Sequence, residues 1–181
     1  MHRRRALIGM SAVATATLVG CMDDERTQPP AIQSVTRSDI APTRRVPAES
    51  ELQPWGRFLG SASVARETLL DDVDPAPIEF VEATDFEAGD RLLFVQAYGR
   101  QTCYRLEVIN GPRITRTGRP VTGVAVQRTE PPEVACGDAI TPVSILLRVT
   151  FDVDRPLPHQ FDVRVDRPEA PTTELSLAAR V

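Results

Sequence analysis

Ten consecutive residues near the C-terminal third of the chain alternate in polarity. Val143, Ile145, Leu147, Val149 and Phe151 are set against Ser144, Leu146, Arg148, Thr150 and Asp152. A period of two puts one set on a buried face and most of the other in water, which is the pattern of a half-buried β-strand. Phe161, Val163 and Val165 alternate in the same way with Asp162, Arg164 and Asp166, and Tyr104, Leu106 and Val108 with Cys103, Arg105 and Glu107. Further strands are expected over 57–64, 78–83, 91–98, 113–117 and 121–128. Leu92-Leu93-Phe94-Val95 is apolar on both faces and suits a strand covered on each side.

Turn residues separate these runs, among them Asp74-Pro75, Gly89-Asp90, Gly118 and Pro131-Pro132. Asn110-Gly111 is the strongest local hairpin signal. The one helix-like stretch runs from Ser63 to Asp71. Seven or eight short strands without a long helical period predict an all-β domain over 55–166, an antiparallel β-sandwich of immunoglobulin-like form or a small barrel. About 110 residues suffice for one core. Residues 167–181 are expected as a loose tail, with at most an edge strand over Glu174 to Leu177.

The N-terminus carries a different message. His2, Arg3, Arg4 and Arg5 precede an apolar stretch from Ala6 to Val19, followed by Leu18-Val19-Gly20-Cys21. Charged start, apolar middle and small residues before a cut are the parts of an export signal. The 14 residues of this stretch fall short of the roughly 20 needed to span a bilayer. Leu18, Val19, Gly20 and Cys21 make a lipobox, in which the thiol after the cut accepts a lipid, so 1–20 is read as signal peptide and Cys21 as the lipidation site. Arg4-Arg5-Ala6-Leu7-Ile8 also fits the twin-arginine pattern that routes folded cargo. Residues 22–54 hold five prolines among polar residues and almost no aromatic side chain, the composition of a disordered tether.

All 21 basic residues are Arg. Removing the signal deletes Arg3, Arg4 and Arg5 and leaves 18 − 25 = −7 formal charges. An acidic surface disfavours nucleic acid, whose binders need a basic face. The RR-x-L-I start, the LVGC lipobox, the acidic tether and the small β domain together resemble the twin-arginine-exported lipoproteins of haloarchaea, most closely over Met1 to about Glu25. The resemblance implies a lipid anchor on Cys21 in the cytoplasmic membrane, with the body on its outer face. It implies no activity.

With Cys21 assigned to lipid, Cys103 and Cys136 remain as an even pair in a compartment where disulfides persist, and a bridge between them is expected. Catalytic material is sparse. His159 is the sole histidine of the mature chain and lies in a proline-rich turn, and no nucleophile signature surrounds any serine. No zinc ligand set, glycine-rich phosphate loop or cofactor motif is present. Carboxylates cluster at Asp71, Asp72 and Asp74 and at Asp85, Glu87 and Asp90, but neither cluster matches a calcium loop. The expectation is a monomeric, non-enzymatic binding or assembly module without cofactor or metal, its protein or glycan ligand open. The alternative is a small hydrolase or carbohydrate-active domain built on the loop carboxylates.

Overall fold

A computed structural model describes residues 28–44, 52–168 and 170–181. The described chain is mostly β. Its elements are β1 (Ile32–Arg37), β2 (Thr43–Arg44), β3 (Trp55–Leu59), α1 (Ala62–Arg66) with a π-helical turn (Glu67–Asp71), β4 (Val73–Asp74), α2 (Ile78–Glu82), β5 (Asp90–Gly99), β6 (Tyr104–Ile114), β7 (Pro120–Arg128), β8 (Thr141–Phe151), β9 (Gln160–Arg167) and β10 (Ala170–Arg180). Eight strands form one sheet in the order β1-β8-β5-β3-β10-β9-β7-β6, and β2 pairs with β4. The sheet is nearly closed. Its two edge strands are linked by an ion pair from Arg37 to Glu107 at 2.7 Å, and the same guanidinium donates to the Leu106 carbonyl at 3.3 Å.

One face of all eight strands lines a single core. The residues expected to be buried from the alternation of β8, β9 and β6 meet there: Val143, Ile145, Leu147, Val149 and Phe151 with Phe161, Val163, Val165 and Leu106. Phe58 and Phe161 pack across it with ring centroids 5.4 Å apart. The other face of β3, β5 and β8 is covered by the connection from Gly60 to Gly89, which buries Leu59, Leu92, Phe94 and Leu146 against Ala65, Leu69 and Val81. That second layer is why β5 is apolar on both faces. Ser61 caps α1 by accepting from the Val64 amide.

Several expectations are corrected. The sheet is mixed, not wholly antiparallel, since β3 with β10 and β7 with β9 run parallel. Ten strands are found among the described residues. The stretch 78–83, expected as a strand, instead holds α2 and its cap Ala83, to whose carbonyl Arg148 donates at 2.7 Å while lying 5.1 Å from the Phe80 ring. Five residues, Ile78 to Glu82, are too few for their period to distinguish helix from strand, and the contact with β8 decides. The strand expected from Arg57 ends at Leu59 and gives way to α1.

Asn110-Gly111 is not a hairpin turn. It lies inside β6, where the register with β7 shifts and the Thr122 hydroxyl donates to the Asn110 carbonyl at 2.7 Å. The turn falls later, at Gly118, whose φ of +79° an L side chain rarely adopts. Residues 28–44, expected within a disordered tether, supply β1 and β2. Two polar side chains on the outer face require them: Gln96 accepts from the Arg44 amide at 2.7 Å and donates to its carbonyl at 3.3 Å, and Ser144 donates to the Pro42 carbonyl. The C-terminal residues are no loose tail. Strand β10 sits between β9 and β3, with Leu175, Leu177 and Ala179 packed on the core.

Candidate functional site

A concavity lies where β5 turns into β6, close to the disulfide. Cys103 opens the β6 side of that turn and Cys136 lies in the β7–β8 loop; they are joined, with Cα atoms 5.7 Å apart. Closing about 34 residues stabilises the fold by roughly 3–4 kcal/mol in the chain-entropy account. Hydrogen bonds reinforce the staple: the Thr102 amide donates to the Gly137 carbonyl at 3.1 Å, and the Thr129 amide to the Cys103 carbonyl at 2.9 Å. The bridge thereby sets the position of Arg100 and Tyr104 on one side and of Ile140 on the other.

These three residues, with Tyr98, Val126 and Arg167, line a half-open cavity of about 220 Å³. Leu52, Pro168 and Ala170 complete its rim. Gly99 shapes the wall, because a Cβ there would stand 2.5 Å from that of Tyr104. The Tyr98 hydroxyl accepts from Gln96 at 3.2 Å. Arg167 donates to the Leu52 carbonyl at 3.3 Å, to Gln53 at 3.4 Å and to the Thr173 hydroxyl at 3.3 Å. Its Nε is buried without a partner among the described residues. A buried N–H left unmatched is costly. The cavity thus offers aromatic and aliphatic surface with guanidinium and phenol groups at its wall, chemistry that suits holding a ligand.

The carboxylates singled out in the sequence are placed elsewhere. Asp90 is 8% exposed and fully engaged: it accepts from the Asp85 amide at 3.0 Å and the Thr150 hydroxyl at 2.7 Å, with Arg148 at 3.8 Å. Asp85 accepts from the Glu87 and Ala88 amides at 3.1 and 3.0 Å. This cluster holds the turn into β5 in shape. Asp72 faces Arg44 at 3.9 Å. Among the described residues, no three His, Cys, Asp or Glu side chains converge so as to hold a metal ion. His159 is exposed in the β8–β9 turn. Arg4, Arg5, Leu18, Val19, Gly20 and Cys21 lie outside the described residues, and no described helix is long and apolar enough to cross a membrane.

The cavity was not legible in the sequence. Tyr104 sits at a core-facing position in the alternation and Tyr98 on the outer face of β5 beside Gln96, while Leu52 and Arg167 fall in stretches that read as tether and tail. No protein-family model, curated protein or solved structure matches the chain.

Proposed function

We propose that this chain is a lipoprotein anchored through Cys21 to the outer face of the cytoplasmic membrane, and that its β domain is a barrel-like, non-enzymatic binding or assembly module. Export by the twin-arginine route, from Arg4 and Arg5, belongs to the same reading, as does the resemblance to haloarchaeal lipoproteins. The observation that carries the binding role is the cavity beside the disulfide, whose wall presents Tyr98, Tyr104, Arg100 and Arg167. The loop acids on which a hydrolase would depend are occupied in part by backbone amides, as at Asp85 and Asp90.

The ordered start of β1 sharpens the anchoring geometry. Six residues lie between Cys21 and Gln28, and the seven steps from one to the other span at most about 25 Å when fully extended. The domain would therefore ride close to the bilayer and not on a long leash. Membrane fractionation of the Cys21→Ser chain tests the anchor. The parent is expected in the membrane pellet and the variant in the soluble fraction, and a variant that pellets like its parent removes the lipid from the account.

A further inference from the structure

On the outer face of the sheet, where the helical layer ends, two arginines stack on one indole and a third lies beside one of them. The Arg44 and Arg57 guanidinium carbons lie 5.8 and 5.2 Å from the centre of the Trp55 ring. Trp55 is itself held edge-on against Phe94 at 5.1 Å. Arg180 pairs with Leu59 across the β10–β3 ladder, and Arg57 stands two residues back on the same face of β3, so the two long side chains are diagonal neighbours. Among the described residues, the one carboxylate at ion-pair distance from any of the three is Asp72, 3.9 Å from Arg44. Arg57 spends one N–H on the Gly56 carbonyl at 3.0 Å.

Gathering like charges is unfavourable, and here it happens on a chain with an acidic balance. Burial, then Arg180, then Arg44 push the Arg57 guanidinium below its ordinary range, the direction that repulsion among cations produces. Stacking on the indole restrains Arg44 and Arg57, so less freedom is lost when their planar forks engage a ligand. We propose that Arg44 and Arg57, organised by Trp55, form with the neighbouring Arg180 a binding site for an oxyanion ligand that carries adjacent phosphate or sulfate groups. Guanidinium forks match such oxygens two at a time, and a bound anion would supply the missing countercharge. The site is separate from the cavity beside the disulfide and does not depend on the lipid anchor.

Trp55 is the sole tryptophan of the chain, so its emission reports on this patch alone. The full-length protein carrying Cys21→Ser would be titrated with inorganic tripolyphosphate, with sulfate, and with chloride at matched ionic strength. The expected result is a saturable change in emission, tightest for tripolyphosphate, weaker for sulfate and absent for chloride. Arg57→Gln and Arg180→Gln should each weaken tripolyphosphate by about tenfold, the loss expected for one charged hydrogen bond. Arg113→Gln, on the distant part of β6, should leave it unchanged. Arg180 is exposed, so its variant retains the fold. A response that chloride reproduces, or one equally strong in the Arg180→Gln chain, overturns the site.

Discussion

The two halves of the sheet share one core but differ on the outside. Over β8, β5 and β3 the outer face is roofed: Leu92, Phe94 and Leu146 lie under the helical connection, and Gln96 and Ser144 are sealed by residues 42–44. Over β9, β10 and β7 it is wet and laced with polar contacts, such as Arg119 to Asp162 at 3.3 Å, Ser176 to Asp162 at 2.7 Å and Arg164 to Asp166 at 3.2 Å. The same pleated backbone therefore serves two regimes. On the roofed half each side chain of both faces contributes to stability, while on the wet half only the inner set does. Exposed ion pairs are worth little, about 0–1 kcal/mol each.

The sharpest way to break this contrast is a pair of truncations. Phe94→Ala, under the roof, should destabilise by roughly 3–5 kcal/mol, while Glu174→Ala on the wet face should stay within about 0.5 kcal/mol. Urea unfolding of the two variants measures the gap, and equal midpoints would show that the helical layer adds nothing. A middle effect is expected at Gln96. Gln96→Ala strips partners from the Arg44 amide and carbonyl, which should cost roughly 1–3 kcal/mol and raise hydrogen exchange at Arg44. Unchanged exchange there would mean that residues 42–44 are held by something else.

The smallest effect belongs to the wet half. The Thr172 hydroxyl, donating at 2.7 Å, holds the Asp166 carboxyl below the usual carboxylate range against the opposing effect of burial, with Arg164 adding to the lowering. A depressed folded-state value means stability that is present above the unfolded value and lost as pH falls through the folded one. Because the Asp166 side chain is half-buried at the wet surface, where solvent screens its partners, that contribution is small. Thr172→Val should move the Asp166 titration upward when followed by carboxyl-carbon resonances, and an unmoved titration would show that Arg164 alone sets it.

Much of the inner wall could be read directly. The alternation in β8 and β9 names the residues that meet in the core, and the doubly apolar run in β5 anticipates a roof without saying what it is made of. The disulfide was legible from cysteine parity. Less visible was everything that depends on a remote partner. Nothing local in Ile32 to Arg37 marks β1, whose residues are mostly exposed and whose order comes from pairing with β8. Strand β10 does alternate, but proline at 168 and 171 obscures its start. Residues 78–83 have strand-like composition and take a helical turn because Arg148 and the sheet surface complete it.

The candidate sites divide along the same line. By itself the sequence determined a β-rich body and one pair of cysteines, because each of these is written in residue type and spacing within a short window. Only the tertiary structure decided that Tyr98, Tyr104 and Arg167 share a cavity, that Arg44 and Arg57 meet over Trp55 and that Arg180 stands beside Arg57. Those groups come from strands far apart in the chain. Their meeting depends on sheet order and register, which are set by long-range pairing and core packing and leave no mark on any one segment.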